Sequence, residues 1–365
     1  MEQHLQSSEM NQLGTRLTSS LTSSETYDEQ SLRKNAGHNV QHFLYIIDMA
    51  VEKCSRVVFI CPPKKSGGPE NIYQACRILA SRGYESYVMH TDASKNAIPG
   101  LEKYNVTIVP AMPDAEDTLV VIPEDVALRV VKPFKKSRRA LWWLSVDTFM
   151  LVNDIDLSKM SVASLLMLER IDFNFVQSRY AEDFCYSMGV KDVRQLPDTI
   201  SDEFFAPASR CRRADAVLYN PLKERSVTQL AASLMPHLKF IPLHGFSSEQ
   251  MASLMDVSKV YLDLGGHPGR DRIPREACLR DMVVITSKNG SARNSTDVAI
   301  PERWKVECGY FNVPKICSKV QAGIDTYDEA LKDFTSWKKT IINDRDEFES
   351  RVISCFEDLL EMKAS

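Results

Sequence analysis

Two runs of short apolar strands, each alternating with helices, constrain the fold of this chain more than any other feature. β-Branched segments such as 56–61 and 118–122 are apolar at nearly every position, which is typical of strands buried on both faces. Strands of this kind that alternate with helices indicate parallel sheets covered by helices. The first run predicts strands at 56–61, 87–90, 118–122, 140–144 and 173–178 and helices at 42–52, 70–81 and 181–188. The second predicts strands at 216–219, 239–243, 260–264 and 282–286 and helices at 226–235, 247–255 and 274–280.

The order of these segments predicts the domain organisation. The chain has 365 residues, enough for two domains of ordinary size. Residues 1–35 are rich in Ser and Thr and poor in large apolar residues, so we expect a disordered tail. We assign 36–205 to an N-terminal domain and 206–335 to a C-terminal domain, and 336–365 to a final helix that can pack back on the first domain. The predicted fold is α/β, with two Rossmann-like, doubly wound domains facing each other and the linker near 198–206.

Composition excludes several classes of protein. A formal net charge of -4 argues against nucleic acid as a partner, since phosphate backbones require a surplus of Lys and Arg. The 9 cysteines include no C-x-x-C pair, which argues against a structural zinc site or a disulfide framework. The N-terminus lacks the apolar core of a signal peptide, and no run reaches the roughly 18–20 apolar residues of a membrane span. We therefore expect a cytoplasmic location, with peripheral contact at the inner face of a membrane left open.

Open parallel sheets bind ligands beyond the carboxyl ends of their strands, so the loops after the strands are the candidate sites. After the first strand, Gly67 and Gly68 precede Glu70 at the start of a helix, where backbone can approach a ligand closely. After the strand at 216–219, Lys223 and Arg225 suit a diphosphate. A plain turn and a solvated helix start explain these two loops equally well.

The loop at 262–276, LDLGGHPGRDRIPRE, is the most unusual segment of the chain. Its glycines permit a backbone fitted closely to a ligand, and its arginines can neutralise phosphate. Its histidine can hydrogen-bond a phosphate or a hydroxyl group, and the glutamate at the following helix start can accept two ribose hydroxyls. We assign a ligand site to this loop. The residues concerned are Gly265, Gly266, His267, Gly269, Arg270, Arg272 and Glu276.

Further polar residues follow other strands. A turn after the strand at 282–286 offers free N–H groups to a diphosphate through Gly290, Ser291 and Ala292. In the first domain, Glu124, Asp125, Ser145 and Asp147 follow strands and could face an acceptor. Asp154 and Asp156 form a D-x-D pair but follow no clear strand end, so no metal site is expected there. The basic run 132–139 could attract an anionic lipid or polyanion, although a solvated loop is the simpler interpretation.

Two stretches in the second half resemble a known family. YLDLGGHPGRDRIPRE and the following ACLRDMVVITSKNGSARNSTDVAIP resemble GT-B-fold glycosyltransferases of bacterial surface-polysaccharide gene clusters, with a second domain similar to that of retaining family 4 enzymes. In the first half GGPENIYQA, VVIPE, WWLSVDTF and VQSRYAEDF are similar to counterparts in that family. The resemblance covers most of residues 50–305.

The resemblance implies an enzyme that transfers a hexosyl or deoxyhexosyl group from a nucleotide-sugar donor to a glycan, lipid-linked or protein acceptor, without a metal or other cofactor. Glu276 would bind the ribose, and Lys223, Arg225 and the turn containing Ser291 would face the diphosphate. Gly265, Gly266 and Arg272 complete the donor site. The acceptor side would comprise Gly67, Gly68, Glu70, Glu124 and Asp147.

One position departs from the family pattern. Many retaining relatives carry a second Glu eight positions before the ribose Glu, and this chain has Pro268 there. His267, Arg270 and Asp271 are the candidate catalytic residues in its place. Two other functions remain open: a non-catalytic scaffold or binding subunit with the same fold, and a nucleotide-sugar epimerase.

Overall fold

The structure, a computed structural model, describes residues 52–153, 155, 160–209 and 211–362. Three predictions lie outside the described residues: the disordered tail, the D-x-D pair and, except for its last residue, the helix at 42–52. No helix among the described residues is long and apolar enough to cross a membrane.

The first half of the described chain forms a parallel sheet of 6 strands in the order β2-β1-β3-β4-β5-β6. The strands are β1 (Arg56–Cys61), β2 (Glu85–His90), β3 (Thr118–Pro123), β4 (Arg138–Trp143), β5 (Phe173–Val176) and β6 (Val193–Gln195). The helices are α1 (Gly67–Ser81), α2 (Ala127–Val130), α3 (Val146–Asn153), α4 (Val162–Leu168) and α5 (Arg179–Ser187).

The second half forms a parallel sheet of 5 strands in the order β11-β10-β9-β7-β8. The strands are β7 (Ala214–Tyr219), β8 (Lys239–Pro242), β9 (Ser258–Asp263), β10 (Val283–Ser287) and β11 (Lys305–Val306). The helices are α6 (Arg225–Leu234), α7 (Ser248–Asp256), α8 (Arg272–Leu279), α9 (Val313–Asp325), α10 (Tyr327–Ala330) and α11 (Thr335–Phe356). The predicted fold, two doubly wound α/β domains, is confirmed.

Strand β1 shows why these sequences form central strands. Val57 and Phe59 point into one hydrophobic core, whereas Val58 and Ile60 point into the core on the opposite face of the sheet. A strand has a side-chain period of two, so only a segment that is apolar at every position can serve both cores.

The two sheets share one strand order, and that order places the site. In each sheet the first strand lies between the second and the third, so the chain direction across the sheet reverses between β1 and β3 and between β7 and β9. Ligands of doubly wound sheets bind at such reversals, beyond the carboxyl ends of the strands. The loops after β1, β3, β7 and β9 are therefore the expected binding loops.

The final helix α11 packs against both halves of the chain. Near its start, Trp337 and Ile341 belong to the core of the second half. Near its end, Phe356 lies in the core of the first half, where its ring centroid is 5.9 Å from that of Phe59 and 5.1 Å from that of Phe175. The helix thus ties the two halves together.

The predicted elements differ from the structure at short strands and in helices that were not predicted, the longest of which is α9 with 13 residues. Strand β6 has 3 residues and β11 has 2, and neither was predicted. Helix α8 begins at Arg272 rather than at residue 274. The segment predicted as the linker carries Ile200 and Phe204, which are buried in the core of the second half.

Candidate active site

A cavity of about 330 Å³ lies where the loops after β1 and β3 meet the loops after β7 and β9. We call its two sides the first wall and the second wall. The first wall consists of the lining residues of the N-terminal sheet and helices: Pro62, Lys64, Ser66, Gly67, Gly68, Pro69, Asn71, Ile72, Pro123, Glu124, Asp125, Leu144, Ser145, Thr148 and Gln177. The second wall consists of the remaining lining residues: Asp198, Asn220, Lys223, Asp263, Pro268, Gly269, Arg270, Asp271, Arg272, Ile273 and Pro274.

The two walls touch at Gly269. A Cβ atom at this position would overlap the Leu144 carbonyl oxygen of the first wall, so no larger residue fits without movement of the backbone. Beside it, the Val146 N–H donates a hydrogen bond of 2.8 Å to the Pro268 carbonyl oxygen. The glycine predicted to approach a ligand closely therefore approaches the other wall.

Lys223 lies between two carboxylates of the second wall. Its Nζ donates to Asp263 Oδ2 at 3.3 Å and also bonds Asp271. Burial lowers the pKa of Lys223, but the charges of Asp263 and Asp271 outweigh burial and raise it above its ordinary value. The ammonium group is therefore charged at neutral pH.

His267 is fully buried behind this ion pair. Its Nδ1 lies 2.7 Å from Asp271 Oδ2, and its Nε2 lies 3.7 Å from Asp263 Oδ1. One ligand atom from each of Asp263, His267 and Asp271 lies within 4.8 Å of the others, which is close enough to hold a metal ion. Both carboxylates already contact the ammonium group of Lys223, so a positive charge is present at this cluster without a metal ion.

Arg272, the first residue of α8, reaches across to the first half of the chain. Its guanidinium donates to Glu70 Oε2 at 2.6 Å and to Ser201 Oγ at 2.8 Å. Burial raises the pKa of Glu70, but Arg272 and hydrogen bonds from Tyr104 and Ser201 outweigh burial and hold it below its ordinary value. A Cβ atom on Gly67 would lie 2.8 Å from Arg272 Cδ. The glycine after β1 therefore makes room for this arginine.

Glu276 lies one helical turn after Arg272, with Oε1 3.7 Å from Arg272 Nε. It is buried and lies behind Arg272 rather than among the lining residues. Burial raises the pKa of Glu276 to about 7, against the opposing charges of Arg272 and Arg275.

Arg270 lines the cavity, but its guanidinium is held from behind. It bonds Asp344 of α11, and its NH1 lies 3.9 Å from Asp198 Oδ1. Arg275 donates to the other oxygen of Asp198 at 2.5 Å. The final helix thus helps to position a cation of the second wall.

The turn at Gly290, Ser291 and Ala292 supports the loop before α8. The Ser291 N–H donates to the His267 carbonyl oxygen at 2.8 Å, and its Oγ donates to the Gly269 carbonyl oxygen at 2.5 Å. Gly290 has a φ of 53° and packs against the His267 backbone. The N–H of Ser291, predicted to face a diphosphate, is therefore already used within the protein.

Other predicted residues lie at different distances from the cavity. Gly68 lines it, and Gly265 packs against the Lys223 side chain. Arg225 and Gly266 are exposed and are not among the lining residues. Asp147 is also exposed and accepts a hydrogen bond of 2.7 Å from the Tyr180 hydroxyl.

The carboxyl groups of the first wall differ from one another. Glu124 accepts a hydrogen bond of 2.9 Å from the Leu144 N–H, and burial raises its pKa to about 8. Asp125 pairs with Lys64 at 3.0 Å, and the lysine side chain is 61% exposed. At neutral pH this wall therefore carries an uncharged carboxyl group beside a paired carboxylate.

Sequence reasoning missed several residues of the site, among them Asn71, Gln177, Asp198 and Asp263. Gln177 directly follows β5, so the rule of strand carboxyl ends could have found it. Asn71 lies within α1, where one polar residue gives no local signal.

Comparison with known proteins shows similarity at the level of structure. No protein-family model matches the sequence, and no curated protein sequence matches it. A glycosyltransferase from Rickettsia africae superimposes with a TM-score of 0.59 and 10% identity, covering 86% of this chain and 100% of that one. Anabaena HepE, in complex with UDP-glucose, superimposes with a TM-score of 0.59 and 10% identity, covering 83% of this chain and 100% of that one. The chain therefore has the two-domain α/β architecture of GT-B glycosyltransferases, the fold that its sequence motifs resemble.

Proposed function

We propose that this protein is a glycosyltransferase that moves a sugar from a nucleotide-sugar donor to an acceptor. One observation carries the proposal: Lys223, Arg270 and Arg272 converge on one wall of a cavity at the point where both sheets reverse direction. This wall is where a doubly wound domain binds a nucleotide. The solved structures with this fold include a glycosyltransferase and a complex with UDP-glucose, which supports the same reaction class.

The second wall suits the leaving group of sugar transfer. Cleavage of the donor leaves negative charge on the nucleoside diphosphate, and fixed cations stabilise that charge as it develops. Lys223 supplies a point charge on a partly buried side chain, and Arg272 supplies a fork that can bind two phosphate oxygens. We assign the diphosphate to these two residues and the ribose hydroxyls to Glu276.

The residues nearest the reacting sugar follow from the same placement. Arg270 and Asp271 line the cavity, whereas His267 lies behind Asp271. We assign contact with the donor sugar to Arg270 and Asp271. His267 is then a positioning residue that orients the Asp271 carboxylate.

We further propose that the reaction needs no resident metal ion. Asp263, His267 and Asp271 could supply ligands, but the ammonium group of Lys223 already pairs with both carboxylates. The acceptor is a glycan, a lipid-linked saccharide or a protein. Polysaccharide biosynthesis on the cytoplasmic side of a membrane is the role that the sequence resemblance favours.

A nucleotide screen followed by mass spectrometry tests the reaction class. A ligand that binds only the folded state at 100 times its Kd stabilises it by about 2.7 kcal/mol, so UDP, GDP, dTDP and CMP are compared by thermal shift. We expect one nucleotide to raise the melting temperature and its sugar conjugates to undergo transfer or slow hydrolysis.

Two matched variants locate the binding. Lys223→Ala is expected to abolish the thermal shift, whereas Arg225→Ala, at an exposed position two residues later, is expected to keep it. Failure of every nucleotide to bind, together with no transfer and no hydrolysis, would refute the proposed function.

A further inference from the structure

One buried arginine binds the backbone at the end of the loop before α8. The carbonyl groups of residues 267–269 accept hydrogen bonds from α3 and from the turn after β10. The carbonyl groups of the next two residues both accept from the guanidinium of Arg275, at 2.8 Å from Nη2 to Arg270 and at 3.2 Å from Nε to Asp271. We call this double contact the clamp. Arg270 and Asp271 are the residues that we assign to the donor sugar, so the clamp holds the backbone that carries both of them.

A buried carboxylate holds Arg275 in turn. Arg275 is only 2% exposed and is not among the residues that line the cavity, so it is placed to act on the loop rather than on a substrate. Its Nη2 also donates to Asp198 Oδ2 at 2.5 Å. The other oxygen of Asp198 lies 3.9 Å from Nη1 of Arg270. One carboxylate therefore orients the clamp and attracts the side chain of a residue that the clamp holds.

Stability of the fold alone does not account for the clamp. Burial lowers the pKa of Arg275, and the like charges of Arg270 and Arg272 lower it further, despite the attraction of Asp198. Replacement of a buried ion pair by apolar side chains of similar volume is often neutral or stabilising. An arginine at this position therefore contributes geometry, because its planar fork reaches two carbonyl groups and a carboxylate at once.

We propose that Arg275 is a positioning residue of sugar transfer, which fixes the two sugar-facing residues of the second wall in the geometry that the reaction requires. Asp198 is the counter-ion that orients it. This inference rests on the proposed function. A displacement of about 1 Å in a group that faces the reacting atoms can lower a rate about 100-fold. Nucleotide binding should depend on the clamp much less, because the cations assigned to the diphosphate have contacts of their own.

Two variants of the clamp test this role. Arg275→Lys keeps a positive charge beside Asp198 but replaces the planar fork by a single ammonium group. Arg275→Met combined with Asp198→Asn removes both charges, so neither partner is left buried with an unpaired charge. We expect kcat for the donor to fall at least about tenfold in Arg275→Lys and at least about 30-fold in the double variant. The donor KM, and the nucleotide Kd from calorimetry, should stay within about threefold of the wild-type values.

The chain offers a matched control at the other end of the same helix. Arg280, directly after α8, is 4% exposed, donates to Asp256 Oδ1 at 2.7 Å and donates to the Ala206 carbonyl oxygen at 2.5 Å. This pair has the chemistry of the clamp, but neither residue lines the cavity. Arg280→Lys, and Arg280→Met combined with Asp256→Asn, should lower the melting temperature to a similar extent and leave kcat within about twofold of the wild type.

Turnover is compared well below the lowest melting temperature, so that every variant is folded. A kcat that falls in the clamp variants and is kept in the Arg280 variants supports the positioning role. Equal losses in the two sets, an unchanged kcat in folded Arg275→Lys, or failure of both clamp variants to fold would overturn it, because Arg275 would then serve the fold alone. A rise in KM or in the nucleotide Kd that accounts for the whole effect would overturn it in favour of a role in binding.

The outcomes also separate this inference from the proposed function. An inactive wild type overturns the proposed function and the positioning role together. An active wild type beside an equally active Arg275→Lys overturns the positioning role alone.

Discussion

The two walls of the cavity share one architecture and differ in chemistry. Each is built by loops at the reversal point of a sheet with the same strand order. The second wall holds three largely buried cations that are paired with carboxylates, whereas the first wall holds one lysine, Lys64, whose side chain is largely exposed. Strand order therefore places a site, and the side chains of the loops determine which ligand it binds.

The largest expected effect comes from removing a second-wall cation. Arg272→Ala leaves the largely buried Glu70 with Lys103, 3.8 Å away, as its only cation among the described residues, and loss of one partner from a buried pair costs up to about 3–5 kcal/mol. We expect a lower free energy of unfolding in urea. Calorimetry should show nucleotide affinity reduced by at least about 30-fold, since a charged hydrogen bond to phosphate is lost.

Two further variants serve as controls for the Arg272→Ala experiment. Arg272→Lys keeps the charge but not the two-pronged geometry, so it should fold and recover only part of the affinity. Lys64→Ala on the first wall removes an exposed ion pair, and its unfolding free energy should change by about 1 kcal/mol or less. Equal losses of nucleotide affinity in Arg272→Ala and Lys64→Ala would show that the two walls do not differ as described.

The pH dependence of stability tests the uncharged carboxyl group of the first wall. Burial raises the pKa of Glu124 to about 8 in the folded protein. In the unfolded chain the pKa of a glutamate side chain is about 4.3. The folded state therefore holds a proton that the unfolded state releases, so this contribution to stability falls as pH rises from about 4.3 to about 8.

Glu124→Gln removes this contribution. The stability of the variant relative to that of the wild type should therefore increase as the pH rises toward 8. The variant keeps the decline caused by Glu276, whose pKa is raised to about 7. The interval between pH 7 and 8 is therefore the diagnostic one in melting curves recorded from pH 5 to 9. Parallel curves for the wild type and Glu124→Gln would show that Glu124 is already ionised.

A smaller effect is expected from the carboxylate that faces Arg272. In the ligand-free protein Glu70 binds the guanidinium that we assign to the diphosphate. Glu70→Gln removes the competing charge, so UDP or the nucleotide found in the screen should bind up to about tenfold more tightly. Weaker binding in calorimetry would show that Glu70 supports the nucleotide site rather than competing with it.

The sequence predicted the fold because its strands are extreme in composition. After their first residues, β1 and β3 are apolar throughout and serve two cores, whereas β6 and β11 are too short to show a periodic pattern. The local pattern was thus sufficient for the central strands and insufficient at the sheet edges.

The candidate site was predictable only in part. The loop before α8 was found because glycines and charged residues are concentrated there. The partners of its residues were not, because they are distant in sequence: Glu70 and Arg272 are separated by 202 positions. Likewise, Gly269 looks like a ligand contact until the Leu144 carbonyl group is placed against it.

The smallest expected effect is that of metal removal, and it decides what the cluster of Asp263, His267 and Asp271 does. If the Lys223 ammonium group is the cation of this cluster, treatment with EDTA should change donor turnover by less than about twofold, because no metal contributes to charge stabilisation. Turnover is measured before and after dialysis against EDTA, and after addition of Mg²⁺ or Mn²⁺. A large loss that Mn²⁺ restores would show that the carboxylates bind a metal during the reaction. In that case Lys223 would move away from the carboxylates when substrate binds. The metal ion and the arginines would then both contribute to phosphate binding at the second wall.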